Sequence, residues 1–311
     1  MKRCSGTLGR LTLFLSGLAF GCVASAGTFR VATYNVESYL DQPTESRHAK
    51  SAESKTKVRD CILALKPDVI ALEEMGSTNA LLELRDSLKA AGLDWPHWEH
   101  VAGFDTNIHI AILSRFPFLE RRPHTTDTFL LNGRRFRVSR GFGEVDIQFN
   151  PNFVVTLLVA HLKSKRAIAQ ADEAEMRLEE AKLLRERIDA HLNADSQAKL
   201  IVVGDFNDSK DSPSIKMVLG RGKKKLLDLR PAERNGDPRH LLSIDSARES
   251  RNISWTQYYA KEDLYSRVDY ILVSPGLAHN WITNDTYVLT IPNWGVASDH
   301  RPIVAAFAVP D

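Results

Sequence analysis

The segment Leu-Ile-Val-Val-Gly-Asp-Phe-Asn-Asp, residues 200–208, decides the fold. Its first half, Leu200–Gly204, is apolar almost throughout, which is typical of a strand that other layers cover on both faces. Two polar residues, Asp205 and Asn207, follow as soon as this strand ends. Side chains at the ends of buried strands are held by rigid backbone, as catalysis requires. The segment therefore indicates an α/β fold with a functional site at one end of its strands.

The same arrangement recurs elsewhere in the chain. Asn35 and His161 directly follow apolar runs, and Glu74 follows a third run with one residue between. Any one of these residues is, taken alone, more typical of a turn or a cap. Because several predicted strands are followed by a polar residue in this way, we expect these side chains to converge on one rim.

Eight short apolar or β-branched runs predict strands, and three amphipathic patterns predict helices with charged outer faces. Their interleaving favours an α/β sandwich with two sheets inside and helices outside. The predicted strands are Thr28–Tyr34, Asp68–Leu72, His109–Leu113, Glu144–Phe149, Phe153–His161, Leu200–Gly204, Val268–Val273 and Pro302–Val309, and the predicted helices are Ala49–Leu65, Ser77–Ala91 and Ala167–Leu192.

Two further acids stand in unusual places. Asp269 lies inside an apolar strand pattern, where an unpaired carboxylate is costly to bury. It needs a cationic or hydrogen-bonding partner, and a histidine is the natural candidate. Asp299 is followed directly by His300, just before the last apolar strand. An adjacent acid and imidazole suit a metal ligand next to a base, although ordinary turns also contain either residue.

Taken in order, these segments resemble the endonuclease/exonuclease/phosphatase superfamily, which includes DNase I, abasic-site endonucleases, neutral sphingomyelinases and inositol polyphosphate phosphatases. Each motif alone is only moderately specific, but the ordered set is highly specific. The resemblance implies a DNase I-like, four-layer α/β sandwich of two packed mixed β-sheets flanked by helices. The matching segments are Ala32–Asn35, Pro67–Glu74, His161–Ser164, Gly204–Asp208, Arg267–Ile271 and Ser298–Pro302.

The resemblance also implies a divalent metal. It assigns Glu74 as the direct ligand, with Asn35 and Asp299 supporting the metal or its waters. So few protein ligands, all with oxygen donors, suit Mg²⁺, with Mn²⁺ as an alternative. Zn²⁺ suits the chain less well, because no Cys/His cluster with closed-site spacing occurs.

The remaining roles that the resemblance implies concern phosphate-ester hydrolysis. Asp205 would orient or deprotonate the attacking water, and Asn207 would donate to a phosphate oxygen. His300, held by Asp269, would stabilise the transition state, and His161 would be a second donor. For His161 alone, a satisfied core histidine would be the simpler interpretation.

One position departs from the family pattern. Glu73 stands where the family usually has glutamine, while Glu74 keeps the position of the ligand acid. The extra acid leaves two interpretations open: it attracts a second cation, or it faces solvent.

The first residues read as a secretory signal. A basic start precedes the apolar run Leu11–Ala24, and Ala24-Ser25-Ala26 is a small-residue cleavage pattern. The run is shorter than the roughly 20 residues that a membrane span requires. We therefore predict a cleaved signal peptide at residues 1–26, a single domain at residues 27–311 with no transmembrane segment, and export to the periplasm or the exterior. A retained N-terminal anchor is the alternative.

Composition narrows the class of partner. Cleavage would remove Lys2, Arg3 and Arg10 and no acid, so 41 basic against 39 acidic residues becomes 38 against 39. A globally basic surface, the usual mark of a dedicated nucleic-acid binder, is therefore not expected. Cys61 becomes the only cysteine, which excludes an intrachain disulfide, and its place on an apolar helix face favours a core role. Nothing in the sequence indicates an obligate protein partner.

The substrate stays open among nucleic acid, lipid phosphodiesters and phosphomonoesters, because the shared motifs perform the same chemistry on all of them. We expect nucleic acid. A binding module that has lost catalysis is the remaining alternative, and every matched position still carries a competent side chain. The candidate substrate contacts are Arg140, Lys163 and Arg267, with the basic runs Arg134–Arg137 and Arg221–Lys225; for the aromatic residues Trp255, Tyr258 and Tyr259 core packing is favoured over base stacking.

Overall fold

The computed structural model describes residues 27–234 and 253–310. The predicted signal peptide, residues 1–26, lies outside this part of the chain, so its cleavage stays a prediction. Within the described residues, no helix is both long enough and apolar enough to cross a membrane.

Two large mixed sheets form the centre of the molecule. The first has the strand order β12-β16-β17-β1-β2-β4-β3 and the second the order β11-β15-β10-β9-β8-β5, and two short hairpins, β6-β7 and β13-β14, stand beside them. The strands are β1 Gly27–Tyr39, β2 Val69–Met75, β3 His97–Val101, β4 His109–Ser114, β5 Phe118–Arg121, β6 Thr128–Leu131, β7 Arg134–Arg137, β8 Phe142–Asn150, β9 Phe153–Ala160, β10 Leu200–Asp205, β11 Leu227–Asp228, β12 Ala232–Glu233, β13 Gln257–Tyr259, β14 Leu264–Ser266, β15 Asp269–Val273, β16 Trp281–Val288 and β17 Ile303–Val309.

Helices cover the outer faces of both sheets. Apolar side chains of α1 and α2 pack on the first sheet, and those of α3 and α4 pack on the second. A third apolar cluster, which includes Val31, Val69 and Val203, fills the space between the sheets. The helices are α1 Ala52–Leu65, α2 Thr78–Ala90, α3 Glu173–Ala194, α4 Pro213–Leu219 and α5 Pro275–Ala278. The predicted four-layer, DNase I-like α/β sandwich is confirmed.

The helix starts differ from the sequence prediction because side-chain caps set them. Ser51, Ser77 and Asp172 each accept a hydrogen bond from a backbone N–H of the first turn of α1, α2 and α3. Such caps satisfy donors that have no partner inside the helix. Helix α3 therefore begins six residues after its predicted start at Ala167, since residues 167–171 precede the cap, Asp172.

Strand β16 was missed by the sequence analysis. It contains Thr283, Asn284 and Asp285, residue types typical of turns, and its pairing with β17 is irregular between Ile282 and Tyr287. Apolar alternation is lost at such an irregularity, so periodicity does not detect the strand.

The polar strand ends meet at one edge of the sandwich. In the first sheet β1 and β2 run parallel, and in the second β9 and β10 do, so their carboxyl ends point the same way within each sheet. Gly204 makes the close packing of β9 and β10 possible, because its φ is +136° and a Cβ there would lie 1.9 Å from the Ala160 carbonyl oxygen. No other residue fits this position without moving the backbone.

Candidate active site

Asp205 lies at the centre of the site, between the two sheets. It ends β10 and is 1% exposed. Asn35, on β1 of the other sheet, donates from Nδ2 to Asp205 Oδ2 at 3.0 Å, and the Asn207 backbone N–H donates to Oδ1 at 2.8 Å. The predicted convergence of Asn35, Asp205 and Asn207 is therefore present in the structure.

Asp269 and His300 form the pair that the sequence analysis anticipated. His300 Nδ1 lies 2.8 Å from Asp269 Oδ2, and both residues are buried. Burial by itself would lower the pKa of His300, but the carboxylates of Asp269, Asp299 and Asp205 raise it well above its usual value. We conclude that His300 carries its proton at neutral pH and presents Nε2 to the site.

The surroundings of Asp205 suit a general base. The pKa of Asp205 is raised to about 7: burial is the largest cause, the cation of His300 opposes it, and the charge of Asp269 adds to the rise. A base is most effective when its pKa lies near the working pH. His300 Nε2 is 3.7 Å from Asp205 Oδ2, so the imidazolium and the carboxyl face the same part of the site.

The charges of this cluster favour acid–base chemistry over a metal ion held directly between its members. Asp205, Asp269 and His300 form a group of potential ligands within 4.8 Å of one another in the described residues. A protonated imidazole has no lone pair to offer, and its single charge offsets that of one carboxylate. We interpret this trio as an acid–base cluster.

His161 and Asn207 complete the cluster. His161 is 2% exposed, and its Nε2 lies 3.6 Å from Asp205 Oδ2. Burial, then the charge of Arg140, lowers the pKa of His161 well below its usual value, so the ring is neutral. The Asn207 side chain donates to the Leu162 carbonyl oxygen at 3.0 Å, which fixes its orientation beside Asp205.

Glu74, the predicted metal ligand, lies at the rim. Its Oε2 accepts hydrogen bonds from Ser38 N at 3.1 Å and Ser38 Oγ at 3.0 Å, and it pairs with Arg47 Nη1 at 3.0 Å. Glu74 and Ser38 both have positive φ, 61° and 54°, a costly conformation for residues other than glycine. Strain of this kind is maintained where the surrounding structure holds a side chain in a required position.

The rim is rich in carboxylates. Burial raises the pKa of Glu37, and the nearby charges of Asp299 and Glu74 raise it further, while Lys50 lowers it. Repulsion of this kind is relieved by a bound cation. Glu74, Asp299 and the Asn35 amide offer oxygen donors only, which fits a hard divalent cation such as Mg²⁺.

Glu73 is buried beside the site. It is 0% exposed and accepts a hydrogen bond from Thr33 Oγ1 at 2.7 Å, and its Oε2 has no hydrogen-bond partner in the part of the chain that the structure describes. Burial raises its pKa well above the usual value, and the charges of Asp269 and Asp205 add to the effect. The interpretation that Glu73 faces solvent is therefore wrong; at this position a protonated carboxyl is as neutral as the glutamine it replaces.

The three predicted substrate contacts have different surroundings. Arg140 and Lys163 line a cleft beside the site. Arg267 instead makes a bidentate ion pair with Asp228 at 3.0 and 2.7 Å and lies over the ring of Tyr270. These contacts give Arg267 a structural partner, and its contact with substrate stays a prediction.

An aromatic hairpin, β13–β14, borders the site. Gln257 Nε2 donates to Asp299 Oδ2 at 3.0 Å, and Tyr258 N donates to the Asp299 carbonyl oxygen at 2.9 Å. The hairpin therefore positions Asp299. Tyr259 is 40% exposed and Tyr265 is 53% exposed, so the predicted core packing is wrong for Tyr259.

The sequence analysis missed three charged residues of the rim, namely Glu37, Arg47 and Lys50. One signal in the sequence could have identified Glu37, because this residue lies two positions after Asn35 on the same strand. Arg47 and Lys50 come from the connection between β1 and α1, and residues in such a connection carry no periodic pattern.

Fold and site together define a phosphoesterase built on the DNase I-like sandwich. The model of the endonuclease/exonuclease/phosphatase family matches residues 32–300. The chain belongs to this family, as its motifs predicted, and is an enzyme that hydrolyses phosphate esters. Dependence on a divalent metal is typical of the family.

Several solved structures share this fold. The chain is similar to the human Nocturnin catalytic domain with bound sulfate anion, with TM-score 0.62, 16% identity and coverage of 90% of this chain and 94% of that one. It is also similar to beta toxin from Staphylococcus aureus, with TM-score 0.60, 17% identity and coverage of 89% of this chain and 99% of that one. A third similar structure is ANGEL2, a 2′,3′-cyclic phosphatase, in complex with adenosine-2′,3′-vanadate. Its TM-score is 0.63 at 16% identity, and the match covers 91% of this chain and 96% of that one. At such identities the likeness concerns the fold, and no curated protein matches the sequence.

Proposed function

We propose that this protein is an exported, Mg²⁺-dependent nuclease or related phosphodiesterase that cleaves nucleic acid. The arrangement of Asp205 carries the proposal: a buried carboxyl with a raised pKa lies beside a protonated His300 and is fixed from both sheets. A base next to a cation is the combination that water attack on a phosphodiester requires.

In the proposed reaction, Asp205 accepts a proton from the attacking water. The His300 cation, held by Asp269, binds a non-bridging oxygen of the scissile phosphate and stabilises the charge that develops there. His161 and Asn207 keep Asp205 oriented. A divalent cation held by Glu74, Asp299 and Asn35 would neutralise phosphate charge and assist departure of the leaving alkoxide.

The aromatic hairpin supports nucleic acid as substrate. Tyr258 of this hairpin and Trp294, which precedes β17, line a cavity of about 520 Å³ that Asp299 and Glu37 also line. Aromatic rings stack on any base, and each stacked base contributes about 1–3 kcal/mol. ANGEL2, which shares the fold, has been solved with an adenosine derivative.

A lipid phosphodiesterase is the second candidate, and one observation favours it. Leu264 and Tyr265, on β14 of the aromatic hairpin, are 45% and 53% exposed. Exposed apolar and aromatic residues beside a site are suited to a membrane interface as well as to bases.

The test is a panel of plasmid DNA, RNA, sphingomyelin and inositol phosphates, assayed with the protein lacking residues 1–26. We expect cleavage of nucleic acid with Mg²⁺ or Mn²⁺ and no cleavage in EDTA. Full activity in EDTA would contradict the metal requirement, and a clear preference for sphingomyelin would establish the lipid reading.

The metal site is tested by Glu74→Gln, with Glu175→Gln on the exposed face of α3 as the matched control. We expect Glu74→Gln to raise the Mg²⁺ concentration for half-maximal activity by about 10-fold or more, since loss of a charged ligand weakens binding of a hard cation. The control should leave this concentration unchanged. An identical Mg²⁺ response in both variants would remove Glu74 from the metal site.

A further inference from the structure

A cleft beside the site has four basic residues in its lining. This cationic cleft has a volume of about 390 Å³ and is lined by Arg47, Arg140, Lys163 and Arg166, with Asp105 as the lining residue of opposite charge. It adjoins the site directly, because Arg47 contacts Glu74 at 3.0 Å. None of these cations is required by the reaction at Asp205.

Arg140 is the strongest indication that the cleft binds an anion. It is 6% exposed, its Nε has no hydrogen-bond partner among the residues that the structure describes, and the Asp105 carboxylate is 3.7 Å away. A buried guanidinium is costly unless its donors are satisfied. The fork of a guanidinium matches the oxygens of a phosphate group.

The walls of the cleft are held in place from below. Glu180 of α3 is buried and accepts hydrogen bonds from Ser139 N at 3.3 Å and Lys163 N at 2.6 Å. Lys163 Nζ in turn donates to the carbonyl oxygens of Ser164 at 3.0 Å and Arg166 at 2.8 Å. One buried carboxyl therefore fixes the segments that carry Arg140 and Lys163, and Lys163 fixes the loop that carries Arg166. Fixed walls reduce the entropic cost of binding.

Repulsion among the cations of the cleft also favours a bound anion. Burial lowers the pKa of Lys163, and the charge of Arg140 lowers it further. An anion in the cleft would remove this repulsion.

We propose that the cationic cleft binds a second phosphate group next to the scissile one, so that the preferred substrates carry at least two phosphates. The proposal rests on the proposed function and narrows its substrate class. A nucleic-acid chain presents a further phosphate beside each scissile bond. A lipid with a single phosphate and a cationic headgroup would leave the cleft unfilled and would be repelled by it.

The experiment compares kcat/KM for the dinucleotides TpT, pTpT and TpTp with Mg²⁺, with bis-p-nitrophenyl phosphate as the probe of basal chemistry. We expect pTpT or TpTp to be cleaved with kcat/KM at least about tenfold above that of TpT, since hydrogen bonds to charged groups are the strong ones. Inositol 1,4,5-trisphosphate, assayed beside them, distinguishes a nucleic-acid source of the second phosphate from a small-molecule source.

Arg166→Gln is the informative variant, because Arg166 is exposed and its replacement leaves the core intact. We expect it to bring the ratio of the phosphorylated to the unphosphorylated dinucleotide towards one. Lys182→Gln removes the same charge from α3 outside the cleft and should keep the wild-type ratio. Arg140→Gln should abolish the preference as well, with its thermal unfolding measured because the side chain is buried.

The outcomes distinguish failure of the second-phosphate site from failure of the proposed function. Equal kcat/KM for the three dinucleotides, or a preference that survives both arginine variants, would overturn the second-phosphate site and leave the phosphodiesterase intact. Absence of hydrolysis of bis-p-nitrophenyl phosphate and of every other substrate would overturn the proposed function itself. Cleavage of sphingomyelin but of no dinucleotide would overturn the second-phosphate site in favour of a lipid substrate.

Discussion

At the residue scale, the site depends on charges that cannot be buried alone. His300 and Asp269 are 3% and 1% exposed, and each is the nearest charge partner of the other. Removing one member of such a pair leaves an uncompensated group in a low-dielectric interior. Side chains coupled in this way act as one unit, and their losses do not add.

We therefore predict that His300→Ala lowers kcat by about 10²–10³-fold, the scale of one lost electrostatic contact in a catalytic site. Asp269→Asn should cost less, because the amide keeps the shape of the carboxyl but no longer favours a charged imidazole. The double variant should be little worse than His300→Ala alone. Strictly additive losses, with unfolding temperatures unchanged in all three variants, would show that the two residues work independently.

At the element scale, Glu144 of β8 connects three parts of the fold. Its carboxylate accepts hydrogen bonds from His124 Nε2 at 2.7 Å and His191 Nε2 at 2.9 Å, and it pairs with Arg122. His191 belongs to α3, whereas Arg122 and His124 precede β6. Burial by itself would raise the pKa of Glu144, but the hydrogen bonds from His124, His191 and Arg122 lower it far below its usual value. Glu144 thus fastens α3 to the outer face of the second sheet.

We expect Glu144→Gln to lower the free energy of unfolding by about 3 kcal/mol at pH 7, because the variant breaks a buried ion pair by removing one partner. Glu186→Gln, on the exposed face of α3, should change it by less than about 0.5 kcal/mol. Urea denaturation measures both values. Equal stability of the two variants would mean that the cluster contributes nothing to the packing of α3.

The lowered pKa of Glu144 also predicts that the stability of the fold depends on pH. The pKa of Glu144 is lower in the folded protein than in the unfolded chain, so its stabilisation is complete above the unfolded pKa of about 4.3 and declines as the pH falls below it. The difference between wild type and Glu144→Gln should therefore be smaller at pH 3 than at pH 7. A difference that grows on acidification would contradict the assigned charge.

At the scale of the whole molecule, β1 begins at Gly27, which pairs with Val309 of β17. Cleavage after Ala26 would leave every residue of this strand in the mature protein. We predict that secreted material starts at Gly27 when its intact mass is measured. Ala26→Phe should block processing, since the cleavage site requires small residues. Recovery of the chain from the cytoplasm with Met1 in place would contradict export.

The sequence by itself determined the strands that carry the site and the order of its motifs. Segments such as Leu200–Asp205 and Phe153–Ala160 are apolar enough that their burial is a local property of the chain, and the polar residue after each is read directly. The pairing of Asp269 with a histidine also followed from local chemistry, because a carboxylate within a buried strand needs a partner.

Only the tertiary structure decided which residues meet. Asn35 and Asp205 are 170 positions apart and belong to different sheets, so their hydrogen bond depends on sheet order and register. Burial raised the pKa of Glu73, and the fold of the connection after β1 brought Arg47 to Glu74 and into the cationic cleft. Local patterns specify elements, whereas contacts between distant elements depend on how those elements pack, which no single segment encodes.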